Sequence, residues 1–316
     1  MKIIIQDDYQ NCIRDLAAFE KIKDHDVSIY TDNIKDIDAL AERFKDAEAI
    51  VLIRERTIIN EELLKKLPHL KVISQTGKVA PHIDLEACKA RGITVMDGRG
   101  SGGATAELAM LLILAALRNF VEECQRLQNG QWQGTLGRQL SGRVLGVYGF
   151  GRIGEQIAHL GKAFGAQVLV WGRENSLKKA SDMGFKVATS KEDFFKACDV
   201  MSLQLRLTPE TEGIVTFQDL SLMKTDAILV NTSRAELIES GALVTALKAG
   251  RPGFAAVDVY EEEPIFNRGN PLIGLPNCLC TPHIGFVEKD NYEAYFGIAF
   301  DNINAYCQGK PQNVVV

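Results

Sequence analysis

Short apolar runs alternate with amphipathic stretches from the second residue onward. Lys2–Ile5, Val27–Tyr30, Ala49–Ile53, Val72–Ser74 and Thr94–Met96 are rich in aliphatic and β-branched residues and read as strands. Between them, Cys12–Lys23, Ile37–Phe44, Asn60–Lys66 and Ile83–Ala90 read as helices. Strands alternating with helices predict a parallel sheet, and ligands on such sheets sit beyond the carboxyl ends of the strands. The same rhythm resumes at Arg143. Strands are predicted at Val144–Tyr148, Val168–Trp171, Val200–Leu203, Ala227–Asn231, Ala255–Val259 and Cys278–Thr281, with helices at Ile153–Phe164, Lys191–Ala197, Phe217–Leu222 and Gly241–Ala249. A last helix, Tyr292–Gln308, could cross back to the first half.

The stretch between the two series breaks the rhythm. Gly98–Gly103 is glycine-rich but lacks the Lys-Ser/Thr ending of a P-loop, so it reads as a hinge or linker. Ala106–Leu117 is apolar on nearly every side, interrupted only by Glu107. It is too short for a bilayer, which needs about 20 residues, and predicts a helix buried by its neighbours, a second subunit included. Gln128–Arg138 holds Gly130, Trp132, Gly134 and Gly137; a tryptophan in an irregular surface segment points to an oligomer contact.

Composition narrows the class. At 316 residues the chain suits two domains, and 46% hydrophobic with 24% charged residues describes an ordinary globular protein. A net charge of −5 with no basic face argues against nucleic acid and toward a small-molecule partner. The seven cysteines form no CxxC pair and have too few histidines nearby for a metal site, so they read as reduced residues of a cytoplasmic protein. Met1–Ile5 is stopped by Asp7 and Asp8, too soon for a signal peptide.

The chemistry begins at Gly-Phe-Gly-Arg-Ile-Gly, residues 149–154, between a strand and a helix. Gly149 permits the tight turn, Gly151 lets a pyrophosphate approach the backbone, and Gly154 lets helix pack on strand. The N–H groups of Arg152 and Ile153 then face the anion at the helix start. A dinucleotide is the predicted ligand. Three strand ends downstream carry reactive side chains: Asn231-Thr-Ser-Arg234, Glu261-Glu-Glu263-Pro264 and Thr281-Pro-His283. All would emerge on the carboxyl edge of the sheet, where a bound nicotinamide should lie. Arg234 could hold a carboxylate by a two-pronged pair, His283 could move a proton, and Glu263 could orient the imidazole. Taken singly, each has a bland alternative: a structural ion pair, a turn cap, a solvated acidic run. His159 and His25 are expected to be exposed and inert. In the first half, Arg54-Glu55-Arg56-Thr57 and Thr76-Gly77-Lys78-Val79 leave strand ends; Gly77 can expose successive N–H groups and Lys78 adds a positive charge, so a carboxylate could be held there.

Together these residues resemble the D-isomer-specific 2-hydroxyacid dehydrogenases along essentially the whole chain. The most specific matches are residues 149–154, Leu-Thr-Pro-Glu-Thr at 207–211, Val-Asn-Thr-Ser-Arg at 230–234, Ala-Val-Asp-Val-Tyr-Glu-Glu-Glu-Pro at 256–264 and Thr-Pro-His-Ile-Gly at 281–285. The resemblance implies an α/β protein of two Rossmann-like, doubly wound parallel-sheet domains. A cofactor domain, 99–288, would be inserted into a flavodoxin-like substrate domain, 1–98 plus 289–316, in a homodimer. It implies that Arg234 binds and polarises the substrate, with His283 the acid–base group assisted by Glu263. Asp258 and Thr232, with Ser233 beside them, would contact the nicotinamide end, and Thr105 and Gly285 its surroundings. Leu205, Leu207 and Pro209 would line the adenosine side, with Thr211 also binding the cofactor, while Gly77, Lys78 and Val79 would serve the substrate carboxylate; Arg54, with Arg56 and Lys78, could serve a substrate phosphate.

Two departures matter. The family's usual aspartate after the second strand of the nucleotide unit is here Gly172, followed by Arg173 and Glu174. Loss of the acid removes repulsion toward a 2′-phosphate and Arg173 could pair with one, which favours NADP(H); alternatively Glu174 takes the ribose and NAD(H) is preferred. No metal is implied. The loop Thr76–Asp84 replaces the usual glycine-valine-glycine pattern, so glyoxylate or hydroxypyruvate reduction and 3-phosphoglycerate oxidation both stay open. A chain stopping at Val316 is expected to lack the regulatory domain of some phosphoglycerate dehydrogenases. Formate dehydrogenases fit poorly, because they pair the histidine with glutamine. The rival reading is a corepressor-like NAD(H) sensor of the same fold.

Overall fold

The computed structural model describes residues 1–100 and 102–316. Its first elements are β1 (Lys2–Ile5), β2 (Asp26–Ile29), α1 (Ile37–Phe44), β3 (Ala49–Ile53), α2 (Glu61–Lys65), β4 (Val72–Thr76), α3 (Leu85–Ala90) and β5 (Thr94–Met96). The next are α4 (Gly103–Leu117), α5 (Phe120–Gln128), β6 (Val144–Tyr148), α6 (Arg152–Ala163), β7 (Gln167–Trp171), α7 (Glu174–Asp182) and β8 (Lys186–Val187). The chain continues through α8 (Lys191–Ala197), β9 (Val200–Leu203), α9 (Phe217–Leu222), β10 (Ile228–Asn231), α10 (Ala242–Lys248), β11 (Phe254–Val257), β12 (Cys278–Cys280) and α11 (Lys289–Cys307). It divides into two compact units, one holding residues up to Gly100 and from Glu288 to Val316, the other Gly102–Val287. Ser101, within the predicted glycine hinge, lies outside the described residues.

The first unit is a parallel sheet in the order β2-β1-β3-β4-β5. Every residue of β3 and β4 is buried, as expected of central parallel strands covered on both faces. Asp36, Asn60 and Asp84 open α1, α2 and α3 by accepting the N–H three residues on, which satisfies donors the helices leave unpaired. α11 packs in this unit: the Ser74 hydroxyl donates to the Ala299 carbonyl at 3.0 Å, and the Glu293 carboxylate accepts from the N–H groups of Ala17 and Ala18 at 2.7 and 2.8 Å.

The predicted helix over 12–23 is instead two short 3-10 segments, Ile13–Asp15 and Ala17–Ile22, with Leu16 extended between them. The reason is competition for backbone donors. Asp8 takes the N–H groups of Cys12 and Ile13, and Glu293 takes those of Ala17 and Ala18, so the turns are pinned by side chains remote from the helical pattern. His25, expected to be exposed, is half-buried and joins the amino terminus to Asn304 of α11 at 3.2 and 3.1 Å. His159 is exposed and sits edge-on to Phe185.

The second unit is a parallel sheet in the order β12-β11-β10-β9-β6-β7-β8. It contains one strand more than the six predicted, because β8 has two residues and no apolar run to announce it. α7 and α5 are also unannounced: α5 is short, and its apolar residues Phe120, Val121 and Leu127 are left exposed instead of turned into the core. α4 matches its predicted burial, with Ala109, Ile113 and Ala106 all but inaccessible, while Leu111 stays 58% exposed. The β6–α6–β7 unit sits mid-sheet, and the chain leaves β6, β7, β9, β10, β11 and β12 at one carboxyl edge.

Candidate active site

The site is assembled on that carboxyl edge. Gly149, straight after β6, has φ +99° and gives its N–H to the Trp171 carbonyl at 2.8 Å. A β-carbon there would collide with the carbonyl of Gln204, and one on Gly154 with the carbonyl of Gly149. Gly151 differs: a β-carbon on it would meet nothing within 4 Å. Protein packing thus demands the first and third glycines, and the second faces open space where a phosphate could approach. No side chain caps α6 behind it, so the first N–H groups of Arg152 and Ile153 stay available to an anion. The chain's own residues fit a dinucleotide.

After β7, Gly172 has an ordinary backbone, and a β-carbon there would find its nearest atoms at 3.4 and 3.7 Å. Packing does not require glycine at this position. Arg173 is exposed and opens α7, with Glu174 as the first helical residue. Its charge lies near enough to help lower the pKa of Glu210, after hydrogen bonds from the Thr208 hydroxyl and the Glu210 backbone.

Beyond β9, Leu205 and Leu207 pack partly buried on the core, and Pro209 is exposed. The Thr211 hydroxyl is spent within its own loop, donating to the Arg206 carbonyl at 2.7 Å and accepting from the Thr208 N–H at 2.8 Å. At the end of β10, Asn231 brackets the turn that carries Arg234. Its side-chain amide donates to the Arg234 carbonyl at 2.8 Å and its oxygen accepts the Ser233 N–H at 3.0 Å. The Ser233 hydroxyl donates to the Leu203 carbonyl at 2.9 Å, and Gln204 donates to the hydroxyls of Ser202 and Thr232 at 3.0 Å. The turn is thereby tied to the neighbouring strand end, and the Arg234 guanidinium donates to the Ser233 carbonyl at 2.7 Å.

The turns after β11 and β12 bring Glu263 and His283 together. The Nδ1 atom of His283 lies 2.6 Å from a carboxylate oxygen of Glu263, whose other oxygen accepts the Tyr260 N–H at 2.9 Å. His283 is 9% exposed and has φ +50°, a left-handed conformation that a non-glycine residue adopts at a cost and that the surroundings must hold. Asp258 holds it. This fully buried carboxylate accepts the Thr281 hydroxyl at 2.6 Å and the N–H groups of Ile284 and Gly285 at 2.8 Å each, enclosing the turn on both sides of the histidine. Burial pushes the Asp258 pKa up and these bonds oppose it. The Thr105 hydroxyl donates to the Gly285 carbonyl at 2.9 Å, and the Phe286 ring stands edge-on to the imidazole. With Nδ1 engaged by Glu263, Nε2 is the nitrogen left to exchange a proton.

In the first unit, Gly77 has φ +84°, and any side chain there would collide with the Arg54 guanidinium. Arg54 is itself left-handed, its N–H given to the Thr76 hydroxyl at 3.1 Å and its guanidinium 5.8 Å from the Tyr295 ring centre. Lys78 does not stand as a net positive charge: its ammonium is 2.5 Å from Asp97, whose other oxygen lies 3.4 Å from the Val79 N–H. The sequence pattern does not reveal this pairing, because Asp97 ends a different strand.

Several supporting residues also escape sequence reasoning. Asn231, Gln204, Thr281 and Tyr260 were readable only as strand-end residues beside the singled-out ones, and nothing local says what they bond. Glu236 is another: burial pushes its pKa up, Arg234 opposes this, and Glu261 and Glu263 reinforce it.

A dinucleotide turn, a guanidinium and a carboxylate-oriented imidazole on one sheet edge define a nucleotide-dependent oxidoreductase. Residues 110–285 match the family described as D-isomer specific 2-hydroxyacid dehydrogenase, NAD binding domain. The chain is 36% identical over 280 residues to D-3-phosphoglycerate dehydrogenase of Methanocaldococcus jannaschii, covering 87% of this chain and 53% of that one, so it spans about half the length of that relative. It is 35% identical over 290 residues to glyoxylate reductase of Aeropyrum pernix, covering 88% and 85%. A crystal structure of phosphoglycerate oxidoreductase from Vibrio cholerae superposes with a TM-score of 0.95 at 52% identity, covering 98% of this chain and 99% of that one. The chain belongs to the D-isomer-specific 2-hydroxyacid dehydrogenase family.

Proposed function

We propose that the site interconverts a small D-2-hydroxy acid and its 2-oxo acid, of the glyoxylate and hydroxypyruvate type or the 3-phosphoglycerate type, with Arg234, Glu263 and His283 as its working residues. The observation that carries this reading is the 2.6 Å contact between His283 Nδ1 and Glu263, which leaves Nε2 as the proton-exchanging atom. When bound, the nicotinamide supplies or accepts the hydride at C2. In reduction, protonated His283 donates from Nε2 to the forming alkoxide, Glu263 stabilises the ring orientation throughout, and Arg234 engages the carboxylate and the developing oxyanion. In oxidation His283 takes the hydroxyl proton instead. Thr105, Asp258 and Gly285 act through the turn that holds His283; Thr232 and Ser233 act through the turn that holds Arg234. Gly77, Lys78 and Val79 serve the substrate carboxylate, with Lys78 contributing through an ion pair already shared with Asp97, and Arg54 serves the phosphate of a 3-phosphoglycerate-type substrate.

The test is turnover on glyoxylate, hydroxypyruvate, pyruvate and 3-phosphoglycerate, each with both nucleotides. Absence of activity on all of them would overturn the reading. The relatives named above are all oxidoreductases by description, and nothing in them supports the corepressor alternative.

The same panel decides the cofactor. Gly172, which packing does not require, and exposed Arg173 support NADP(H) over NAD(H). NADPH is expected to have the lower KM, and Arg173→Ala to raise the NADPH KM about 5- to 30-fold, the loss of roughly 1–2 kcal/mol of charge-assisted contact, with little change for NADH. An NADH preference above about tenfold would sink the idea and leave Glu174 as the ribose ligand.

The protein is also proposed to act as a homodimer. Along α5 and the segment after it, Phe120, Leu127, Trp132 and Leu136 are 58%, 61%, 75% and 95% exposed, more apolar surface than a monomer commonly leaves in one region. Light scattering should give twice the chain mass, and Leu136→Glu with Trp132→Ala should shift it to the chain mass; a monomeric parent protein would refute the assignment.

A further inference from the structure

β12 carries two thiols that the reaction does not use. Residues two apart in a strand share a face, and Cys278 and Cys280 both pack against the cluster that contains Tyr260 and Leu272, while Leu279 packs against the cluster on the opposite face of the sheet. Their sulfur atoms are 3.7 Å apart. β12 is an outer strand, and both thiols are half-buried rather than sealed. The strand runs directly into Thr281 and His283.

We propose that Cys278 and Cys280 form a site of reversible oxidative modification, at which a hydroperoxide converts the pair into an intrastrand disulfide. The Cys280 thiolate attacks the peroxide oxygen, the O–O bond breaks, and the sulfur becomes a sulfenic acid while the departing hydroxide takes up the proton the thiol had released and leaves as one water. The Cys278 thiol then attacks that sulfur, the S–O bond breaks, and the hydroxyl leaves with the thiol proton as a second water. Two electrons pass from the pair to one hydrogen peroxide. The hydrogen bond between the two thiols holds the Cys280 pKa below its ordinary value, which favours Cys280 as the attacking sulfur; the same bond, with partial burial, holds Cys278 above its own.

The bond would not leave the site as it is. Residues two apart in a strand are about 6.6 Å apart at Cα, at the long end of the roughly 4.4–6.8 Å that a disulfide spans. Drawing the sulfurs from 3.7 Å to about 2 Å therefore pulls the strand ends together. Two anchors lie at the end that moves: the Thr281 N–H to the Val257 carbonyl at 2.9 Å, and the Thr281 hydroxyl to Asp258 at 2.6 Å. Two residues on, His283 loses its alignment with Glu263. A bridge under this tension is readily reduced, so the change reverses.

The test treats the full-length reduced protein with a small excess of hydrogen peroxide. Intact mass under non-reducing conditions should fall by about 2 Da for the two thiol hydrogens lost, with peptide mapping placing the bridge at 278–280. In the same sample kcat should fall about ten- to a hundredfold and return on adding dithiothreitol. Cys278→Ser should match the reduced parent in activity, form no bridge and survive the peroxide. A gain of about 32 Da at Cys280, as sulfinic acid, or no mass change, would overturn the site; so would loss of activity in Cys278→Ser at the parent rate. A bridge that leaves kcat unchanged would overturn its coupling to His283. The effect on turnover rests on the proposed acid–base role of His283, whereas the mass change does not, so failure of either is seen separately.

Discussion

His283→Ala is expected to lower kcat by about 10²–10⁴-fold, the usual contribution of a positioned general acid–base group, while nucleotide binding measured by fluorescence titration persists. The separation follows from the architecture. The glycine turn is built from β6 and α6, and neither Gly149 nor Gly154 depends on the imidazole for its packing. His283 hangs instead from Asp258, Thr281 and Glu263 at the other side of the sheet. Removing the ring deletes the proton carrier and leaves Asp258 still bonded to the Ile284 and Gly285 N–H groups, so the turn should keep its path. Steady-state kinetics beside the titration checks both halves. Retained turnover would refute the assignment, and loss of nucleotide binding would show that the turn had collapsed.

The second large effect concerns charge. Arg234→Gln should reduce kcat/KM for the oxo acid by about 10²–10³-fold, equivalent to roughly 3–4 kcal/mol of lost transition-state stabilisation, with KM rising as well. Arg234→Lys should recover part of it, because an ammonium restores the charge without the two-pronged geometry that matches a carboxylate. The turn is tied by Asn231 and by Ser233 to the end of β9, bonds that do not use the guanidinium, so the fold should tolerate either change. If the glutamine variant kept the parent KM for the oxo acid, Arg234 would serve structure instead of substrate.

Much of this frame is legible in the residues alone. The wholly apolar run of β3 and the apolar starts of β4 and β10 declare buried parallel strands, and the glycines spaced at 149, 151 and 154 between a strand and a helix declare a tight turn, because both signals lie within a few successive residues. Where local pattern was weak, reading failed. α5 turns no stripe toward a core, β8 has two residues, and the 3-10 segments after β1 owe their form to Asp8 and to Glu293, the latter more than 270 residues away.

The sequence by itself determined that strands and helices alternate, that one turn suits a phosphate, and that an arginine, a glutamate and a histidine leave three strand ends. Periodicity and turn geometry are properties of a few successive residues, so they survive without the fold. Only the tertiary structure decided how those strand ends face one another. It gave Glu263 to His283 Nδ1, wrapped Asp258 around the histidine turn, spent the Lys78 charge on Asp97, and set two thiols 3.7 Å apart on the strand that leads into that turn. Such pairings depend on which strands become neighbours, in what register and with which side chains turned inward, and no spacing within one segment encodes that.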